Sequence, residues 1–214
     1  MLTQQQPFDS RTALIVVDVQ NDFADPRGSL YVPGGEQIIA GVNELVRLAS
    51  EAGALIVYTQ DWHPPVTPHF RQDGGIWPVH CVRDTWGSQF HPDLRVRGEV
   101  IRKGTGGEDG YSGFTFRDPR TGVKGSTGLE ALLRSRGIER MLIAGLATDY
   151  CVKETALDAI RLGFEAAVAE DATRAVNLKP GDGGESLAQM ERAGVEVQRS
   201  AGGLESQTTD QPAL

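Results

Sequence analysis

The stretch Met141 to Leu157, MLIAGLATDYCVKETAL, admits few folds. Met141 to Ala144 is an apolar run of the length that a buried parallel strand needs. The chain then turns through Gly145, and Thr148 and Asp149 offer side-chain oxygens suited to capping a helix start. Val152, Thr155, Ala156, Ala159 and Ile160 follow at i, i+3, i+4, i+7 and i+8, one small apolar helix face. Cys151 is thereby expected in the first turn of a helix, directly after a buried strand. Unpaired N–H groups and the positive dipole end would favour an anion there and lower the thiol pKa. On position alone, a small buried hydrophobe is an equal reading of this cysteine.

Similar units recur along the chain. Thr12 to Val19, TALIVVDV, is apolar except for Asp18 near its end. Ile38, Val42, Leu45, Val46 and Ala49 mark a helix that Gly53 stops. Ala54 to Thr59 is a second strand running into Asp61, and Glu99 to Arg102 a short third one ending at Lys103. Residues 62–98 form a long irregular segment carrying all four histidines, and Gly104 to Gly125 is a Gly-rich loop. Leu129 to Gly137 reads as a helix, Ala166 to Glu170 as a strand, Ser186 to Ala193 as a helix and Val195 to Gln198 as a last strand. Such alternation predicts an α/β fold, a parallel sheet with helices on both faces and ligands beyond the carboxyl ends of its strands. Asp18, Asp61, Lys103 and the turn before Cys151 all fall at such ends, which core packing does not explain.

A chain of 214 residues is read as a single domain over 12–200, with a flexible start over 1–11 and a disordered tail over 201–214. The net charge of -8 argues against nucleic acid or an anionic membrane as partner. No apolar run is long enough to span a bilayer, and two cysteines make no disulfide framework. A reduced, cytoplasmic protein is expected.

An acid, an amine and a thiol at one edge form a nucleophilic set. Asp18 can take the thiol proton and return it to a leaving amine, while Lys103 balances the charge. Backbone N–H groups at Cys151 and the preceding turn can serve as an oxyanion hole. This combination fits acyl transfer through a thioester. Asp61 and His63, two apart on an extended segment, share one side, and His80 and His69 can complete a metal site from the loop. Zn, Fe and Mn all suit one carboxylate with imidazoles and open positions. His91, before Pro92, reads as a solvated loop histidine.

These residues resemble the nicotinamidase/pyrazinamidase branch of the isochorismatase-like cysteine hydrolases, from about Ala13 to Ser200. The matching stretches are ALIVVDVQNDF at 13–23, DWHP at 61–64, WPVHC at 77–81, KG…YSGF at 103–114 and GLATDYCV at 145–152. The resemblance implies a Rossmann-like three-layer α-β-α fold with a mainly parallel six-stranded sheet. It also implies an Asp18–Lys103–Cys151 triad and one divalent metal ion (Zn, Fe or Mn) on Asp61, His63 and His80. A subset with the longer spacing seen in DWHPPVTPH also uses a histidine at the position of His69. The oxyanion hole would be the N–H groups of Ala147 and Cys151, with a cis peptide between Leu146 and Ala147. Phe23 and Trp77 match the aromatics that sandwich the substrate ring, and Tyr111 is a weaker candidate for the same wall. Cys81 reads as structural.

The implied reaction is nicotinamide plus water giving nicotinate and ammonia, with pyrazinamide a further substrate and salvage toward NAD the family role. The Gly-rich loop GTGGEDG and the segment FRQDGGI depart from the family pattern. A metal-free amidase acting on a carbamoyl or aliphatic amide is disfavoured by the intact Asp61/His63/His80 set. A vinyl-ether hydrolase is disfavoured by Cys151, and a non-catalytic metal-bound module by the complete triad. The native metal and the oligomeric state, a homo-oligomer included, stay open.

Overall fold

Apolar runs in β1 (Thr12–Val17), β2 (Leu55–Asp61) and β6 (Arg140–Leu146) build the centre of a six-stranded sheet. A computed structural model describes residues 8–200; the tail expected at 201–214 and the first seven residues lie outside them. The strand order is β3-β2-β1-β6-β7-β8, with β3 (Glu99–Lys103), β7 (Glu165–Arg174) and β8 (Glu196–Gln198) outermost, and every pair is parallel. All of β1 is buried because both faces of the sheet are covered. Its alternate residues supply two cores. Leu14 and Val16 pack with α2 (Ile39–Glu51), whereas Ala13, Ile15 and Val17 pack with α3 (Leu129–Ser135), α4 (Lys153–Arg161) and α5 (Asp182–Arg192). This is the three-layer arrangement that the resemblance implies.

The order reverses between β1 and β6. From β1 the chain moves outward to β2 and β3, then returns to the other side of β1 as β6. Neighbouring loops diverge at such a reversal and open a crevice at the carboxyl ends. Close approach there is allowed by Gly145: a Cβ on it would stand 2.1 Å from the carbonyl oxygen of Val17.

Several expectations need correction. β1 stops at Val17, because Asp18 adopts φ 47° and bends the chain away. β7 reaches Arg174, well beyond the expected Glu170. The Gly-rich loop contains an antiparallel pair, β4 (Thr115–Arg117) and β5 (Lys124–Ser126). The segment Asn21–Ala24 forms a single helical turn, α1. The flexible start does not include residues 8–11, since Phe8 is buried and Asp9 pairs with Arg140 at 2.7 Å. His91 is buried rather than solvated, and its Nδ1 accepts the N–H of Asp93.

Candidate active site

The carboxyl ends of β3, β2, β1 and β6 carry Lys103, Asp61, Asp18 and Cys151 in that spatial order. Lys103 is their hub. Its Nζ lies 2.9 Å from Asp18 Oδ2 and 3.6 Å from Cys151 Sγ, and it donates a short hydrogen bond to Asp61 Oδ1. Burial alone would lower the ammonium pKa, but Asp18 and Asp61 hold it well above its ordinary value. Asp18 is pushed up by burial, more than Lys103 pulls it down. Thr59 donates to its Oδ1 at 2.7 Å. Asp61 is also buried, yet Lys103 and the neighbouring histidines draw it below the ordinary carboxylate range.

Cys151 departs from its expected setting in two ways. It lies in one wide turn, Thr148–Val152, in which the N–H of Val152 reaches back to the carbonyl of Ala147, before α4 begins. Wide turns of this kind often mark functional positions. Thr148 and Asp149 do not cap this helix start. Thr148 pairs with Thr173, and Asp149 accepts the N–H groups of Val176 and Asn177, tying the turn to the segment after β7. Nor is the thiol pKa lowered. Burial pushes it well above its ordinary value, against the pull of Lys103 and with a further push from Asp18 and Asp61. A buried thiol beside a raised carboxyl therefore holds its proton until a carboxylate removes it. The peptide between Leu146 and Ala147 is cis, as expected.

Beside this cluster stand three buried histidines. Candidate ligand atoms of His63, His69 and His80 all lie within 4.8 Å of one another. Asp61 Oδ2 is 3.7 Å from His63 Nε2 and 4.0 Å from His80 Nε2. The pattern fits a divalent cation. His80 Nδ1 is 2.7 Å from the carbonyl of Pro78, and His69 Nδ1 is 2.8 Å from Asp109 Oδ1, which leaves each Nε2 to face the cluster. Burial lowers the His80 pKa to about 4, so the ring is neutral near pH 7, the form that binds metal. Neither ring nitrogen of His63 has a hydrogen-bond partner although both are buried, a costly state for a polar group. Gly104, at φ +73°, lets the backbone pass the His63 ring, where a Cβ would stand 2.6 Å from Nδ1.

Both clusters reach one cavity, the first through Cys151 and the second through His63, His69 and His80. Phe23 and Trp77 both line it, Phe23 with its ring 5.5 Å from that of His80. Trp77 Nε1 donates to the Tyr111 hydroxyl at 3.0 Å, and burial raises the Tyr111 pKa to about 12. Tyr150, edge-on to Trp77 and Tyr111, completes this wall and was not anticipated from sequence. Its place beside Cys151 was the available signal.

Two carboxylates were missed as well. Asp109 backs His69. Asp22 Oδ2 accepts the N–H of Cys81, the residue after His80, and Cys81 in turn accepts the N–H of His63. Asp22 was legible only as part of DVQNDF, and Asp109 only as an acid in a Gly-rich loop.

The isochorismatase domain model matches residues 12–202. A nicotinamidase from Escherichia coli (strain K12) is 35% identical over 213 residues, covering 91% of this chain and 98% of that protein. The crystal structure of the pyrazinamidase of Pyrococcus horikoshii in complex with zinc superposes with a TM-score of 0.78 at 42% identity, covering 89% and 99% of the two chains. That of PnC1 from L. infantum in complex with nicotinate gives 0.79 at 39% identity, covering 89% and 94%. The chain therefore belongs to the isochorismatase family, and within it resembles nicotinamidases and pyrazinamidases.

Proposed function

We propose that this protein is a metal-dependent cysteine amidohydrolase that converts nicotinamide, and pyrazinamide, to the acid and ammonia. The observation that carries the reading is that Cys151, backed by Lys103 and Asp18, lines the same aromatic-walled cavity as the histidine cluster. Support for the substrate comes from similarity to proteins described as nicotinamidases and from a related structure in complex with nicotinate. Asp61, His63 and His80 would hold the divalent metal, with His69 as a further ligand. When bound, the metal would supply Lewis acidity and act as a template for the substrate ring. Phe23 and Trp77 sandwich the ring, and Tyr111 closes the wall.

Asp18 takes the proton from the Cys151 thiol as sulfur attacks the amide carbon. N–H groups of Ala147 and Cys151 stabilise the oxyanion. Asp18 passes the proton to the amide nitrogen, the C–N bond breaks, and ammonia leaves a thioester on Cys151. A water then attacks the thioester, Asp18 takes its proton and returns it to sulfur, and the acid departs. Lys103 stays protonated and balances whichever neighbour carries the negative charge.

This activity is carried by a single domain over 12–200 and belongs to nicotinamide salvage toward NAD. A cytoplasmic setting is supported by the two buried cysteines, both free. Among the described residues no helix is long and apolar enough to cross a membrane. Ammonia release from nicotinamide by purified protein, with metal content measured on the same sample, tests the reading. Release with bound Fe, Zn or Mn is expected; no release from a metal-loaded sample would reassign the amide.

A further inference from the structure

We infer that Gln20 is a positioning residue for the metal centre, its carboxamide standing in for the strand that Asp61 lacks. β1 pairs with β2 only as far as Val17 opposite Thr59. Beyond that point Asp18 turns away, and the last residues of β2 face β1's side with no strand beside them. On its other side Asp61 is opposite Lys103 of β3. The backbone groups of Asp61 left over are taken up by one side chain. Gln20 Oε1 accepts the N–H of Asp61 at 2.8 Å, and Gln20 Nε2 donates to the Asp61 carbonyl at 2.8 Å. A carboxamide offers a donor and an acceptor in one plane, as a peptide does, so it can continue a sheet by one residue.

The remaining proton of Nε2 goes to the carbonyl of Ser88 at 2.9 Å, and Gln20 is fully buried. Its conformation is therefore fixed on three sides. Asp61 has two demanding neighbours, the ammonium of Lys103 and the histidine cluster, and its carboxylate must serve both. A backbone free to shift by a fraction of an ångström would favour the ammonium and draw Oδ2 off the histidines. Gln20 opposes that shift. Glutamate could accept the N–H but would set a carboxylate against the carbonyls of Asp61 and Ser88. Methionine fills the volume and offers neither bond.

The inference rests on the metal site of the proposed function, and the experiment separates the two. Zinc affinity of the full chain is measured by competition with a chromophoric chelator, and thermal unfolding is followed in excess chelator. Gln20→Met and Gln20→Glu are expected to weaken zinc binding by about 10- to 100-fold, the usual effect of removing an outer partner of a ligand. Turnover should return as zinc is raised, which a general packing defect would not allow. Gln60→Met is the control: Gln60 also donates to the Ser88 carbonyl at 2.9 Å, but its carboxamide makes no bond to Asp61. It should lower the unfolding midpoint and leave zinc affinity unchanged. Should Gln20→Met not fold, Gln20→Glu keeps the shape and is read the same way. Unchanged zinc affinity in a folded Gln20 variant would overturn the inference. Failure of the unsubstituted protein to take up zinc would overturn the metal reading, and this inference with it.

Discussion

The two sides of the cavity are built by different means. On the thiol side, Lys103 ends a strand, Asp18 and Cys151 follow closely after two others, and the sheet ladder sets their spacing. On the histidine side, His63, His69, His80 and Trp77 lie in a loop whose shape depends on isolated side-chain contacts: Asp22 with the N–H of Cys81, Asp109 with the ring of His69, and Gln20 with the carbonyl of Ser88 and the backbone of Asp61. A ladder is cooperative and tolerates the loss of one contact. A loop held by single carboxylates and carboxamides does not, because each loss leaves buried polar groups unpaired. The thiol side should therefore fail in chemistry and the histidine side in affinity.

The sharpest test of this division is Cys151→Ala. Ammonia release should fall by about 10⁴-fold or more, while nicotinate still binds in a calorimetric titration. Equal loss of both would break the comparison. Next in size is Asp18→Asn, which cannot take the thiol proton. We expect kcat to drop by roughly 10²- to 10⁴-fold with metal content unchanged by atomic absorption. On the loop side, Asp109→Asn should weaken metal binding by about 10- to 100-fold, with kcat recovering once metal is supplied in excess. A fall in kcat at full loading would mean that this side also takes part in the chemistry. The smallest effect belongs to Tyr111→Phe, which removes the acceptor for Trp77 Nε1. One neutral hydrogen bond is worth about 1 kcal/mol, so KM should rise about fivefold with kcat unchanged.

The same division decides what was legible in the sequence. β1, β2 and β6 are visible as apolar runs because burial on both faces leaves no alternation to hide them; Asp18 and Asp61 stand out by ending two of these stretches, and Lys103 by ending the short, largely exposed β3. Alternation and the resemblance together point to a parallel six-stranded sheet, while the order of its strands is visible only in the fold. Loop geometry leaves no such periodic trace. Asp109 is one acid among glycines until His69 is seen beside it, and Tyr150 is a helix residue until the wide turn aims it at Trp77. The misread caps have a similar origin. Thr148 and Asp149 have the right composition, but partners after β7, distant in sequence, claim their oxygens. The thiol was misread because dipole reasoning ignored burial beside two carboxyl groups.

β1 lies in the middle of the sheet, yet it is made first, and its second neighbour, β6, begins only at Arg140. A chain cut short before that residue, whether stalled on a ribosome or nicked by a protease, would own every histidine and both acids of the cavity but no nucleophile. It would also present β1 with one full side of backbone donors and acceptors unclaimed, on an almost wholly apolar segment. Such an open edge invites pairing with another copy of itself. Incomplete products of this gene would then form aggregates rather than partial enzymes, and the last third of the chain serves as much to close that edge as to deliver the thiol.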